Sequence, residues 1–196
     1  MEEEKQQEIY KNLFDLFGYY HPLTESLKND IFQKSEIIHV NRKTILLETG
    51  KPSKYIYFIA SGAIRIYYLD KQGKETTSWL LSEGNLAISV FSFFTGKSSF
   101  EALQTLEDCV LIRLHRDSLE ELYSKHLEFN IIGRKLTEHY YIKNEEQSNN
   151  LRMLTASERY QKLLTDNPSL INRFPLGYIA SLLGMSQETL SRIRNF

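Results

Sequence analysis

Near the end of the chain, Gln187, Glu188, Ser191, Arg192 and Asn195 recur at spacings i, i+1, i+4, i+5 and i+8. On an α-helix those positions share one face. A solvent-facing set of amide, carboxylate, hydroxyl and guanidinium groups on one helix is suited to hydrogen-bonding the edges of bases in a major groove. Ser186 and Thr189 add hydroxyls that suit phosphate oxygens and would fix register.

Such a helix needs a partner to hold it, and the preceding residues supply one. Ile179, Leu182 and Leu183 give Leu176 onward an apolar face at helical spacing. Ala180 is small enough for close approach, and Gly184 sits where the first helix must stop and the backbone must turn. Ser186 is placed to cap the second helix, while Leu190 and Ile193 point back at the first. Residues 176–195 therefore read as a helix-turn-helix. The plainer alternative is a helical hairpin whose polar face is merely solvated.

Other chemistries find less support. The single cysteine, Cys109, excludes an internal disulfide framework, an all-cysteine metal cluster and a multi-cysteine iron–sulfur cluster. The five histidines (His21, His39, His115, His126 and His139) include no His-x-His pair of the kind that metal-binding jelly rolls use. They read as surface or satisfied core residues, and Cys109 as a small buried apolar group. With no nucleophile–base pair and no phosphate-cradling glycine loop, no catalytic residues, no metal ligands and no enzyme are expected.

Charge nearly cancels, 24 Lys+Arg against 25 Asp+Glu, but unevenly. From Arg152 onward six basic residues face three acidic ones, a local +3 within a chain of net −1. A basic C-terminal end suits a polyanion. No apolar run approaches membrane-spanning length and the Met-Glu-Glu-Glu-Lys start does not resemble a signal peptide, so a soluble, cytoplasmic protein with no membrane partner is expected.

The elements that must position the polar helix follow in order. Residues 2–20 read as a helix with Ile9, Leu13, Leu16 and Phe17 on one face, and a second helix runs through Leu27 and Ile31. From Ile37 to His115 short β-rich runs alternate with glycine turns, the pattern of an antiparallel sandwich or small barrel. The expected strands are 37–40, 44–49, 55–60, 63–69, 75–81, 100–106 and 110–115, and 63–81 is the clearest hairpin. The apolar stretch between Leu86 and Lys97 reads as a short helix or elaborated loop, either core filling or a wrap around a ligand. Asp117 and Ser118 are placed to cap a segment with Leu119 and Leu122. A long helical stripe then runs Phe129, Ile132, Leu136, Tyr140, Lys143, Gln147, Leu151 and Leu154. Its apolar part, Phe129, Ile132, Leu136 and Tyr140, is the expected dimer seam; the alternative is a long helix packed on its own domain. Thr155 and Glu158 form a capping box for the next helix. Any β-wing is expected before the motif, between Asn167 and Pro175, or is missing.

This order of parts resembles the CRP/FNR family of bacterial transcription regulators over nearly the whole chain. The stretches that carry the resemblance are Glu48-Thr49-Gly50, Tyr55–Ile66 with its Ala-Ser-Gly, the Asp70–Glu75 hairpin, Glu83-Gly84 and Ser186–Ile193. The resemblance implies an α+β chain: an antiparallel jelly-roll sensor of the cyclic-nucleotide-binding type (1–116), a dimerisation helix (117–154) and a helix-turn-helix DNA-binding domain of winged-helix type (155–196). It implies a homodimer that binds double-stranded DNA, with RNA polymerase as a further partner. In cyclic-AMP-binding members, a glutamate after the loop glycine holds the ribose and an arginine holds the phosphate. Here Asn85 and Lys97 take those positions, with Ser98 and Ser99 following. An ammonium lacks the planar fork of a guanidinium. The effector site, taken as Gly84, Asn85, Leu86, Lys97, Ser98 and Ser99, is therefore expected to take an effector other than cyclic AMP, or none. On the recognition helix, Gln187, Glu188 and Arg192 match the family's base-reading positions; Glu188 suits cytosine, Arg192 guanine and Gln187 adenine. The alternative function is a small-molecule sensor that acts through protein partners and keeps a vestigial reading head.

Overall fold

Period-two patterning builds two antiparallel sheets here, and the helical stripes close over them. The computed structural model describes residues 2–194. Asn195, expected on the polar helix face, lies outside the described residues. Helices α1 (Glu2–Tyr20) and α2 (Glu25–Lys34) come first, then strands β1 (Ser35–Val40), β2 (Ile45–Leu47), β3 (Tyr55–Ser61), β4 (Ile64–Leu69), β5 (Glu75–Leu81) and β6 (Leu86–Ala87). Helix α3 (Val90–Thr95) interrupts the series before β7 (Glu101–Thr105) and β8 (Cys109–His115). One sheet has the order β1-β8-β3-β6 and the other β2-β7-β4-β5.

The sheets face each other across Leu47, Tyr57, Ile59, Ile64, Ile66 and Leu111. The β4–β5 hairpin pairs Ile64 with Leu81 and Leu69 with Glu75. Its turn is held by Asp70, whose carboxylate accepts from the Gln72 and Lys74 amides at 2.8 and 2.9 Å. The strand expected over 44–49 pairs only at Ile45–Leu47. The Thr44 amide donates instead to the Thr105 hydroxyl (2.9 Å), and the register shifts between Ile45 and Leu47. Between Leu86 and Lys97 the chain makes the two-residue β6 and the single turn and a half of α3, ended by Gly96 in the left-handed conformation.

Helices α4 (Arg116–Lys125) and α5 (Leu127–Met153) pack with α1 and α2 on the outer face of the first sheet. The cap on α4 is not Asp117 or Ser118: the His115 ring accepts from the Asp117 amide at 3.2 Å. The expected dimer stripe is corrected more deeply. Phe129, Ile132 and Leu136 are buried within the subunit, in one cluster with Tyr10, Leu13, Phe17 and Phe58. Tyr140 is half-buried, and its hydroxyl accepts from the Leu86 amide at 2.9 Å. The apolar stripe is real, but the chain's own N-terminal helix covers it.

The C-terminal unit is helical throughout: α6 (Ala156–Asp166), α7 (Pro168–Arg173), α8 (Leu176–Leu182) and α9 (Gln187–Arg194). The Thr155–Glu158 capping box forms as the sequence requires. Helix α7 occupies residues 168–173, and no strand follows β8 among the described residues. Pro168 starts this helix at the position where its fixed φ and missing N–H cost nothing. The core of this unit, built on Tyr160, Phe174, Ile179, Leu183 and Leu190, also takes in Ala63 and Leu80 of the roll. The helical unit and the roll thus share buried surface.

Candidate nucleic-acid interface and effector cavity

Helix α9 begins where the sequence places it because Ser186 caps it. The Ser186 hydroxyl accepts from the Thr189 amide at 3.1 Å and lies 3.2 Å from the Thr189 hydroxyl. Gly184 turns the chain with φ +64°, a left-handed backbone that favours glycine. Leu190, fully buried, holds α9 against α8. Gly177 of α8 leaves room for the Gln187 amide: a Cβ there would meet its Oε1 at 3.0 Å.

With that side anchored, Gln187, Glu188, Ser191 and Arg192 are exposed together on the opposite side, as is Ser186, while Thr189 is half-buried. The Glu188 carboxyl is held below its ordinary range, first by its hydrogen bond with Ser186, then by its own backbone, with lesser pulls from Lys74 and Arg192. A charged Glu188 beside Arg192 offers an acceptor and a forked donor one turn apart. Lys74 belongs to the β4–β5 turn, so the polar face of α9 lies within electrostatic reach of the roll.

Three polar contacts join the helical unit to the roll. The Thr77 amide of β5 donates to the Ser181 hydroxyl of α8 at 2.9 Å. Arg65 of β4, 1% exposed, donates to Thr77 (2.9 Å) and Glu75 (2.5 Å). Its guanidinium stacks on Tyr67 at 4.5 Å and on Tyr178 of α8 at 3.9 Å. At the end of α7, Arg173 forks onto two carboxylates, Glu83 at 2.6 and 2.8 Å and Glu107 at 2.8 and 2.7 Å. The Arg173 contact, ahead of the Gly62 amide, pulls the Glu83 carboxyl down to about 2. Arg159 caps α8 from below, donating to the Leu183 carbonyl at 2.7 Å.

The expected effector residues do not converge. Gly84 turns the β5–β6 connection, and the Asn85 amide donates back to the Ser82 carbonyl at 3.1 Å. Lys97 is exposed, with its carbonyl taken by the Ser92 hydroxyl, and Ser98 is exposed at an isolated bridge to Pro52. Ser99 is buried, bonded to Ser89 at 2.8 Å. Of the six, Leu86 alone borders the cavity that the roll and its helices enclose.

That cavity, about 400 Å³, is bordered by strands β3 to β8 of the roll and by helices α1 to α5. Its walls are apolar, and its one ionisable carboxyl is Glu101. Burial pushes the Glu101 carboxyl up, against a lesser pull from hydrogen bonds to Ser78 and Ser89. Phe93, from the apolar stretch, is buried in the core, whereas Phe91 and Phe94 border the cavity and are partly exposed. Trp79, Leu81 and Tyr140 line the cavity and also a second, more polar cleft of about 580 Å³ between the roll, α5 and the helical unit. They form a wall with a face on each space.

Among the described residues no group of three or more His, Cys, Asp or Glu could hold a metal ion. His126 is a satisfied core histidine, 2.7 Å from the Asp30 carboxylate. No described helix is long and apolar enough to cross a membrane.

Comparison with known proteins agrees with the geometry. The cyclic nucleotide-binding domain family matches residues 37–126. No curated protein is significantly similar in sequence. Among solved structures, the c-di-GMP-responsive regulator CLP of Xanthomonas campestris is 17% identical, with 88% of this chain and 90% of that one covered at a TM-score of 0.69. FixK2 of Bradyrhizobium japonicum is 21% identical, with 82% and 83% covered and a TM-score of 0.69. A CRP/FNR-family regulator from Eubacterium rectale is 16% identical, with 88% and 82% covered and a TM-score of 0.70. Residues 37–126 thus resemble the cyclic nucleotide-binding domain family, and the chain has the fold seen in the CRP/FNR transcription regulators.

Proposed function

We propose that this protein is a homodimeric, sequence-specific DNA-binding regulator whose reading head is α9. The observation that carries the proposal is the exposed face of Gln187, Glu188, Ser191 and Arg192 on a helix whose other face is locked by Leu190. That arrangement suits entry into a major groove with Arg192 toward guanine and Glu188 toward the amino group of cytosine. Ser186 and Thr189 serve first as the cap of α9. The dimer seam is proposed for the outer face of α5, where Leu127, Ile131, Tyr141 and Ile142 are exposed at 84, 37, 67 and 56%. A two-fold pairing there would place two copies of α9 on successive grooves. An effector in the roll would press on Trp79, Leu81 and Tyr140, and so on the cleft between the roll, α5 and the helical unit, biasing one arrangement of helical unit and roll over another.

Selection of bound duplexes from a random pool tests the reading. The expected product is a near-palindromic site with half-sites about one helical turn apart. In a gel shift, Arg192→Ala should weaken that site by about 1–3 kcal/mol per reading head. Equal retention of every duplex, unaffected by Arg192→Ala, would favour a sensor that acts through protein partners.

A further inference from the structure

A cyclic nucleotide places an anionic phosphate and a polar ribose against its site. The cavity of the roll offers no counter-charge for the phosphate: among the described residues that line it there is no lysine, arginine or histidine. Lys97, the only basic residue of the phosphate-binding stretch, is exposed on the surface. What faces the cavity instead is the carboxyl of Glu101, with Oε1 held 3.3 Å from the Ser78 hydroxyl and the Glu101 amide fixed by Ser99 at 3.0 Å. The surrounding wall is aliphatic and aromatic, with Ile66, Ile88, Phe94 and Leu136 around Trp79. A phosphate placed there would give up its hydration without a counter-charge and would face a carboxyl group.

We infer that the cavity takes an apolar organic molecule of drug size that carries one hydrogen-bond donor or amine, and that Glu101 is the group that receives it. The inference rests on the roll acting as the sensor of the proposed regulator. Volume and chemistry agree: about 400 Å³ is within the range of small-molecule sites, which are mostly apolar with few placed polar groups. A buried carboxyl that burial alone destabilises gains most from a ligand that donates to it or neutralises it. Trp79 lines both the cavity and the cleft between the roll, α5 and helices α6 to α8, so the ligand touches a wall shared with the helical unit.

The sole tryptophan makes the test direct. The full chain would be titrated at pH 8 with 1-decanol, decylamine, decanoate and cyclic AMP, reading Trp79 emission. Decanol and decylamine should saturate, with decanoate at least about tenfold weaker because its head meets Glu101. Glu101→Gln should narrow the gap between amine and carboxylate and leave decanol within about threefold, since only the charge has changed. Thr137→Phe, at a cavity-lining position on α5, should weaken all three chains while circular dichroism stays unchanged. Saturable cyclic AMP binding with no response to decanol would overturn the assignment. So would an unchanged ligand order in Glu101→Gln, or unchanged binding in Thr137→Phe. The titration contains no DNA, so its failure leaves the Arg192→Ala gel shift standing as the separate test of the regulator.

Discussion

Arg65 and Arg173 are the residues whose environments make the sharpest claims. Arg65 is 1% exposed yet has no idle face: Glu75 and Thr77 take its hydrogens, and Tyr67 and Tyr178 cover its plane. Removing one member of a buried charged contact leaves the other poorly solvated and opens a void. Glu75 is 46% exposed, so water recovers part of its loss. Arg65→Ala should therefore cost about 3 kcal/mol in a denaturant melt, and Glu75→Gln clearly less. Arg65→Lys should recover little, because an ammonium cannot lie flat between two rings. Arg173 makes a different kind of claim, about pH. Its fork lowers the Glu83 carboxyl from 4.5 to about 2 in the folded state. A depressed folded value means the stabilisation is fully present above pH about 4.5 and is lost as pH falls toward 2. Hydrogen-exchange protection in α7 and α8, taken relative to the intrinsic rate at each pH, should accordingly fall between pH 4.5 and 2. Glu83→Gln should remove most of that acid dependence and loosen α7 already at pH 7.

At the scale of elements, helix ends and turns were legible in the sequence because their signals are local. The Thr155–Glu158 box, the Ser186 cap and the left-handed Gly184 each depend on residues within four positions. Gly184→Ala tests that reading. It imposes a strained φ and brings a Cβ to 2.8 Å from Leu151 Cδ2, so a loss of about 1 kcal/mol is expected, smaller for Gly184→Asn, which tolerates the left-handed region better. The facing of α5 was not legible. Its stripe Phe129, Ile132 and Leu136 has the same pattern whether it meets a second subunit or α1. Tyr10, Leu13 and Phe17, more than a hundred residues earlier, settle it. Glu101 was missed for a related reason. The sequence does show a charge at the start of the strand Glu101–Thr105, but only the fold places it on a cavity. Arg65 left a similar trace, an arginine between Ile64 and Ile66, while its second aromatic partner, Tyr178, comes from the helical unit. The exposed polar face of α9 was legible because one helix carries it.

At the scale of the molecule, α5 has two apolar faces with different consequences, and they can be separated. The inner face, Ile132 at 0% and Leu136 at 8% exposure, belongs to the core that joins α1, α4 and the roll. The outer face offers Ile131 and Ile142, three turns apart with Arg134, Lys135 and Glu138 tied together between them in ion pairs. Charge on the inner face should unfold the subunit, because a carboxylate buried without a partner costs several kcal/mol. Charge on the outer face should leave the fold intact and act only between subunits. Leu136→Glu is thus expected to lose its cooperative melt. The double variant Ile131→Glu/Ile142→Glu should keep the wild-type circular dichroism and sediment as a monomer where the wild type sediments as a dimer. Because two heads on one duplex bind with an effective concentration that a single head lacks, the same variant should lose specific DNA retention by at least about a hundredfold. A wild type that sediments as a monomer would overturn the dimer, and a double variant that remains dimeric and still holds its palindrome would move the seam off α5.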